Sequence, residues 1–264
     1  MSKKTFFASD FHLGVNARHS SLEREKKIVQ WLHRSAPEAN AIYLVGDLFE
    51  FWHEYRFVVP RGYVRLLGAL AELSDNGIPI YTFTGNHDLW MKNYFEQELG
   101  IPIYYQPIQR TIEGKTFFIG HGDGLGPGDT GYKWMKKLFT NRWCQWSFRQ
   151  LHPDLGARLA HYASGKSRAA TPASEQNWLG EDKEWLYQYC LHKNNNDIIP
   201  DFFVFGHRHL PIDWQMPNTK SRYINLGEWM WAYSYAEFDG NDINIRFVEK
   251  NNPLVTNRNS THTV

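Results

Sequence analysis

Histidine, aspartate and asparagine recur in this sequence in five short blocks, and each block directly follows a run of apolar residues. The blocks are Asp10-Phe11-His12, Gly46-Asp47, Gly85-Asn86-His87-Asp88, Gly120-His121-Gly122-Asp123 and Gly206-His207-Arg208-His209. Carboxylate, imidazole and carbonyl groups are ligands for divalent metal ions. An open α/β sheet presents its ligand-binding residues where its strands end. The five blocks therefore predict one metal site assembled from distant parts of the chain.

Metal ions about 3.5–4 Å apart can clamp a phosphoryl oxygen and lower the pKa of an attacking water. Such a pair needs one shared ligand, and Asp47 is the candidate because a carboxylate offers two oxygens. The other candidates offer imidazole nitrogens or side-chain oxygens, and they are Asp10, His12, Asn86, His121, His207 and His209. The chemistry expected of this set is metal-dependent phosphoester hydrolysis.

Each block also has an ordinary interpretation. A histidine after an apolar strand is usually a polar residue with a hydrogen-bond partner, and Asp47 after a glycine could be a turn residue or a helix cap. These interpretations explain the blocks one at a time. The occurrence of ligand-type residues after five separate strands favours the metal site.

Length and composition limit the possible classes of protein. A chain of 264 residues with 42% apolar residues predicts one domain with an insertion and a full buried core. The net charge of +1 argues against a generally basic nucleic-acid binder. Cys144 and Cys190 are too few for a disulfide framework. The first residues lead into a strand without a signal-peptide core, and no apolar run approaches the roughly 18 residues of a membrane span. We expect a cytoplasmic protein, attached at most to a membrane surface.

Strand-like runs and helical patterns alternate in the first hundred residues. Strands at 5–9, 41–45 and 78–83 enclose helices at 20–35 and 61–76, which predicts a layered α/β core. A short helix near 90–99 and a hairpin with its turn at Glu113-Gly114-Lys115 follow. After a helical stretch from 124 to about 195, strands return at 202–206, 212–216, 222–226, 232–238 and 242–248.

The five blocks resemble those of the calcineurin-like metallophosphoesterases in content, order and approximate spacing, over roughly residues 5–248. The resemblance implies a four-layered αββα sandwich and two divalent ions, Mn²⁺ first with iron or zinc as alternatives. One ion would be held by Asp10, His12, Asp47 and His209, and the other by Asp47, Asn86, His121 and His207. The resemblance also makes His87 a catalytic residue oriented by Asp88. A histidine flanked by Asn and Asp could donate a proton to a leaving oxygen.

Residues 46–52 and 121–125 are similar to one branch of that family, the UDP-2,3-diacylglucosamine diphosphatases of lipid A synthesis. The branch carries a helical cap, which implies a cap at about 125–195 within a phosphoesterase domain at 1–250. The polar composition after Lys250, with few apolar residues, predicts a disordered tail at 251–264. Its best-known members have Arg where this sequence has His87. The branch implies substrate contacts from Trp52, Asn86, Asp129, Tyr132, Lys166, Ser167 and Arg168.

The insertion carries basic and aromatic residues without an acidic one between Tyr132 and Arg149. This pattern suits an anionic membrane surface or an acyl-bearing ligand. The aromatic residues could instead form the core of the insertion. Stacking on nucleic acid is a third interpretation, and the confinement of the basic residues to one segment argues against it. The basic residues are Lys133, Lys136, Lys137, Arg142 and Arg149, and the aromatic ones are Tyr132, Trp134, Phe139, Trp143, Trp146 and Phe148.

The expected reaction is attack of an activated water on the α-phosphate of UDP-2,3-diacylglucosamine, releasing UMP and 2,3-diacylglucosamine 1-phosphate (lipid X). We expect it on the cytoplasmic face of the inner membrane, with no nucleic-acid partner and no obligate protein partner. One alternative is a phosphoesterase of the same fold that acts on soluble nucleotides or phosphoproteins. Another is a membrane-surface binding protein with a structural metal site, but such a site has no use for His87.

Overall fold

The central strands of this chain are apolar on both faces because each of them lies between two layers. Side chains alternate between the faces of a strand. In the strand Phe202–Phe205, Phe202 and Val204 pack into one core cluster while Phe203 and Phe205 pack into another. Continuous apolar runs of this kind therefore specify a sheet that is covered on both sides.

The computed structural model describes residues 3–126, 130–170, 177–196, 199–249 and 253–257. The strands are β1 (Lys4–Ala8), β2 (Ala39–Val45), β3 (Ile80–Phe83), β4 (Ile103–Tyr104), β5 (Ile108–Ile112), β6 (Lys115–Gly120), β7 (Phe202–Phe205), β8 (Pro211–Gln215), β9 (Arg222–Leu226), β10 (Ser234–Phe238), β11 (Ile243–Phe247) and β12 (Val255–Thr256). They form two six-stranded sheets with the orders β11-β10-β1-β2-β3-β4 and β12-β8-β9-β7-β6-β5. The predicted strands all occur, and their ends differ from the expected ones by at most two residues.

Seven helices occur within the described residues. They are α1 (Ser21–Ser35), α2 (Val64–Asp75), α3 (Tyr94–Leu99), α4 (Thr130–Thr140), α5 (Arg142–Arg149), α6 (Pro153–Ala170) and α7 (Trp185–Asn196). The start of α1 is fixed by a capping box in which Ser20 and Glu23 bond each other's backbone N–H groups.

Helices cover the outer face of each sheet. Side chains of α1, α2 and α3 pack with the first sheet in one core cluster, and those of α7 pack with the second sheet in another. A third cluster lies between the two sheets. This order of layers confirms the predicted αββα sandwich.

Helices α4, α5 and α6 form a cap that contacts loops of the first sheet. The indole N–H of Trp90 donates to the carbonyl oxygen of Phe139 at 2.7 Å, and the rings of Trp90 and Phe148 lie 4.5 Å apart. Because α7 packs on the second sheet, it belongs to the sandwich. The cap is therefore narrower than the predicted stretch at about 125–195.

Part of the predicted disordered tail is a strand. Val255 and Thr256 form β12, which pairs in parallel with β8 through Ile212 and Asp213. The polar composition of the tail conceals this pairing, because an edge strand of two residues needs few apolar side chains. In the part of the chain that the structure describes, no helix is both long and apolar enough to cross a membrane.

Candidate metal centre

All five polar blocks begin within two residues of the carboxyl end of a strand. Strands β1, β2 and β3 are parallel neighbours in the first sheet, as are β6 and β7 in the second. Their ends meet, because candidate ligand atoms from both sheets lie within 4.8 Å of one another in three overlapping groups. The groups are Asp10–His12–His209, His12–Asp47–His87 and Asp47–His121–His207.

Asp47 lies between the ligands of the two sheets. Its Oδ2 is 3.7 Å from His12 Nε2 and 3.3 Å from His121 Nε2. On the His121 side, Asn86 Oδ1 lies 3.3 Å from the same Nε2. One carboxylate thus faces an imidazole that follows β1 and another that follows β6, as a bridging ligand requires.

Hydrogen bonds fix which nitrogen of two imidazoles points into the cluster. His121 Nδ1 lies 2.9 Å from the carbonyl oxygen of Val45, and His12 Nδ1 lies 3.3 Å from the Glu50 carboxylate. Since these oxygens only accept, each Nδ1 carries the proton, and each Nε2 is the nitrogen that faces the cluster. Carboxylate–histidine pairs of this kind orient the histidine ligands of metal sites.

The electrostatics of the cluster favour positive charge. Burial opposes protonation of His121, but Asp47 outweighs it and raises the pKa of His121 to about 10. Burial is likewise outweighed by Asp10 and Glu50, which raise the pKa of His12 to about 9. For His207, burial and then the neighbouring His121 lower the pKa to about 4. The carboxylates therefore hold cations in this cluster, which is the property that a divalent metal site needs.

A metal ion would also complete the surroundings of a buried carboxylate oxygen. Asp10 Oδ1 is buried, and it accepts no hydrogen bond of good geometry from the described residues. It lies 3.1 Å from His209 Nε2, and the nitrogens His12 Nε2 and His209 Nε2 are 3.0 Å apart. An oxygen and two imidazole nitrogens converging in this way fit a divalent cation. These donors do not determine which metal it is.

The backbone of the ligands is left-handed at five positions. Positive φ angles between 45° and 67° occur at Asp10, His12, Asp47, His207 and His209. Residues other than glycine rarely adopt this region, and such strain concentrates at functional sites. The adjacent Gly46 has φ +84°, and a Cβ there would lie 2.6 Å from His121 Nδ1. The glycine of this block is therefore required for the close approach of the two sheets.

Two buried residues that the sequence analysis did not assign support the ligands. Glu50 pairs with His12, and its backbone oxygen lies 3.1 Å from His87 Nδ1. Arg24 of α1 donates to the carbonyl oxygens of Phe11 and His12 at 2.8 and 2.7 Å. Glu50 lies three residues after Asp47, which is a signal in the sequence. Arg24 lies in a helix with an ordinary amphipathic pattern and gives none.

Asp88 bonds the backbone of its loop rather than the imidazole ring of His87, which the sequence had predicted as its partner. Its two carboxylate oxygens accept from the N–H groups of Gly85 and Leu48, at 2.6 and 2.8 Å. Burial and then Asp47 raise the pKa of Asp88 to about 7. His87 Nδ1 instead pairs with Glu50. Asp88 therefore holds the backbone of the loop and does not orient His87 as expected.

The substrate contacts expected from the family branch have mixed outcomes. Trp52 is wholly buried, packs 4.4 Å from the Phe49 ring and donates to Glu54. It cannot touch a ligand there, which corrects the prediction, because an aromatic residue after a site motif can equally belong to the core. Tyr132 donates to Asp123 at 2.5 Å beside the cluster. Asp129 lies outside the described residues, as do the side chains of Lys166, Ser167 and Arg168 on α6.

Comparisons with known proteins assign this chain to a family. Residues 3–211 match the family model for calcineurin-like phosphoesterase. The chain is 36% identical to a UDP-2,3-diacylglucosamine hydrolase of Porphyromonas gingivalis, over 94% of this chain and 99% of that protein. A protein of the same name from Histophilus somni is 29% identical, over 90% of this chain and 97% of that protein. A solved phosphoesterase from E. coli, Yfce, shares 19% identity over 89% of this chain and 87% of its own, with a TM-score of 0.42. On the family match and the first of these relatives, the chain belongs to the calcineurin-like phosphoesterase family.

Proposed function

We propose that this chain hydrolyses the pyrophosphate bond of UDP-2,3-diacylglucosamine, releasing UMP and 2,3-diacylglucosamine 1-phosphate. The hydrolytic chemistry is supported above all by the position of Asp47 Oδ2, which lies 3.7 Å from His12 Nε2 and 3.3 Å from His121 Nε2. The substrate is supported by two relatives that carry the name UDP-2,3-diacylglucosamine hydrolase and match at least 90% of this chain.

Two groups of residues would hold two divalent ions, with Asp47 shared between them. Bound divalent ions supply charge for the phosphoryl oxygens and lower the pKa of the attacking water. We assign Mn²⁺ as the first candidate, with iron or zinc as alternatives. The first group is Asp10, His12, Asp47 and His209, and the second is Asp47, Asn86, His121 and His207.

His87 is suited to donate a proton to the leaving oxygen. Its Nδ1 donates to the Glu50 carbonyl oxygen at 3.1 Å, and the Glu50 carboxylate lies 3.7 Å from the same nitrogen. With Nδ1 engaged by Glu50, Nε2 is the ring nitrogen left to exchange a proton with the leaving oxygen. The side chain is 17% exposed, so a substrate can reach it.

The cap is suited to the membrane surface on which an acylated substrate lies. Its helices expose Trp134, Trp143 and Trp146 at 68%, 77% and 58%. No acidic residue lies between Tyr132 and Arg149, so the net positive charge of this segment favours an anionic bilayer. We propose a peripheral position on the cytoplasmic face of the inner membrane, with residues 1–250 as the catalytic domain.

A substrate panel tests this proposal. The purified chain with Mn²⁺ is given UDP-2,3-diacylglucosamine, UDP-N-acetylglucosamine, simple nucleotides and para-nitrophenyl phosphate esters. We expect kcat/KM to be highest for the diacylated substrate, with UMP as the nucleotide product. A higher kcat/KM for the soluble esters would overturn the proposed substrate and leave a phosphoesterase of soluble compounds.

A further inference from the structure

A cavity of about 690 Å³ lies beside the metal centre, between the sandwich and the cap. His121 and Asp123, which follow β6, line one part of it. The segment after β4 that includes Tyr105 and Gln106 lines a second part, and α4 and α5 line a third. Its volume falls in the range of small-molecule sites, roughly 300–1,000 Å³.

The cavity is strongly cationic. Four lysines line it, Lys92 and the three lysines of α4 at positions 133, 136 and 137. Residues three and four apart share one face of a helix, so the α4 lysines point together. The carboxylate among the lining residues, Asp123, is already bonded to Tyr132 and, at 2.6 Å, to Lys136. The remaining lysine charges are therefore available to an anion.

Lys137 is the lysine of this set best placed to meet a ligand. It is exposed, and its ammonium group forms no hydrogen bond or ion pair with any residue that the structure describes. Lys133, by contrast, donates to the carbonyl oxygen of Gly126 at 2.5 Å. Lys92 is partly buried, and burial, with Arg149 nearby, lowers its pKa. A cation that is partly desolvated gains more from an anion than one in water.

The cavity also offers a flat ring and amide groups. Tyr105 is 49% exposed, and its hydroxyl donates to the Lys92 carbonyl oxygen at 2.7 Å, which fixes the ring. Gln106 and Gln145 add side-chain amides to the lining. Tyrosine rings stack on nucleobases, and amides can bond their polar edges.

We propose that this cavity is the subsite for the nucleotide half of the substrate, a pyrimidine nucleoside monophosphate. The inference rests on the proposed function and deepens it. The lysines bind the phosphate, Tyr105 stacks on the base, and the two glutamines form hydrogen bonds with its polar edge. A membrane anion is the weaker choice of ligand, because the cavity includes His121 of the metal centre and so extends to where the phosphate reacts.

Calorimetric titration of the full metal-loaded chain with UMP tests the subsite. The variants are Lys137→Glu and Tyr105→Leu, and the charge-matched control is Lys26→Glu on α1, an exposed lysine outside the cavity lining. We expect about a tenfold or greater loss of UMP affinity in Lys137→Glu and a several-fold loss in Tyr105→Leu. Lys26→Glu should bind as wild type does, and thermal melts verify that each variant is folded.

Unchanged UMP affinity in folded Lys137→Glu and Tyr105→Leu would overturn the subsite. If Lys137→Glu instead loses only its binding to phosphatidylglycerol vesicles, the lysines serve the membrane and the subsite is again wrong. UMP binding needs no lipid substrate, so the outcome is separable from the proposed function. If wild type fails to hydrolyse UDP-2,3-diacylglucosamine while Lys137→Glu weakens UMP binding, the proposed reaction fails and the nucleotide site stands.

Discussion

Glu50 contacts two residues on which the proposed chemistry depends, His12 and His87. Replacing Glu50 by Gln removes the charge that pairs with His12 Nδ1 and keeps the size of the side chain. We expect the affinity for Mn²⁺ or kcat to fall about 10–100-fold. Losses of this size are typical when the hydrogen-bond partner of a metal-ligating histidine is replaced. Metal titration and steady-state kinetics measure both, with the exposed Glu72→Gln as control. Wild-type values in Glu50→Gln would mean that His12 is held by other contacts.

The role of His87 is separable from that of the ligands, although its ring lies in a group with His12 and Asp47. In His87→Ala we expect a normal metal content and a lower kcat. A positioned acid contributes about 10²–10⁴-fold, and we expect the lower end because a phosphate leaving group needs less protonation than an alkoxide. Elemental analysis beside kinetics decides between the roles. Loss of metal from the variant would make His87 a ligand.

At the residue scale, the sequence predicted which side chains converge but not how they are held. Ligand-type residues after strands are visible as blocks, and side chains of these blocks lie together in three overlapping groups. The left-handed backbone at Asp10 and Asp47 cannot be read from residue types, since it is imposed by packing between the sheets. Arg24 was missed and Trp52 was misassigned for a related reason, because burial depends on tertiary neighbours.

The cap helices expose tryptophan side chains, which we expect to bind a membrane surface. In the double variant Trp143→Ser/Trp146→Ser, we expect weaker association with anionic vesicles and a higher KM for the acylated substrate. Each indole can bury some 150–250 Å² at about 25 cal/mol per Å², so the combined loss is several kcal/mol on full insertion. Vesicle sedimentation and kinetics on both substrate types measure the effects. Equal losses on a soluble phosphodiester would show that these tryptophans stabilise the fold.

His53 links the cap to the sandwich and should make stability depend on pH. The ring is buried, and its centroid lies 5.0 Å from the ring centroids of Trp90 and of Phe148. Neither ring nitrogen has a hydrogen-bond partner among the described residues. Burial, and then Lys92 and Arg149, lower the pKa of His53 from 6.5 to about 4. As pH falls from 6.5 to 4, the unfolded chain binds a proton that the folded chain excludes. Wild type should therefore lose up to about 3 kcal/mol of stability in this window.

The variant His53→Phe removes this proton linkage and keeps an aromatic ring in the cluster. We expect His53→Phe to gain stability relative to wild type as pH falls, measured by denaturant unfolding at pH 7, 6 and 5. The difference between the two proteins cancels the titration of the carboxylates. The exposed His33→Phe serves as control. A wild-type–variant difference that does not change with pH would contradict the assignment.

At the element scale, apolar runs and turn residues were enough to predict ten of the twelve strands described, all except β4 and β12. They were not enough to assign helices to layers. Helix α7 lies in the stretch predicted as cap, but Leu186, Tyr187 and Cys190 bury one side of it against the second sheet. Strand β12 was missed because a pairing of two residues depends on the exposed edge of β8 rather than on local sequence.

For the whole molecule, the sandwich brings the ends of parallel strands from two sheets to one place, and the cap lies beside it. The first sheet contributes Asp10, His12, Asp47 and Asn86, and the second contributes His121, His207 and His209. Neither sheet alone holds a complete site. The centre proposed to act on the pyrophosphate therefore depends on a single residue, Asp47, which joins the ligands of both sheets.

The most direct test is the release of UMP from UDP-2,3-diacylglucosamine, with the metal content of the same sample determined, in wild type and in Asp47→Ala. The exposed Asp75→Ala serves as control. Wild type and the control should each hold two ions per chain and release UMP. We expect loss of both ions and of UMP release for Asp47→Ala, since the bridging carboxylate serves both groups. Two ions still bound in Asp47→Ala, or UMP release that persists without metal, would contradict the proposed centre.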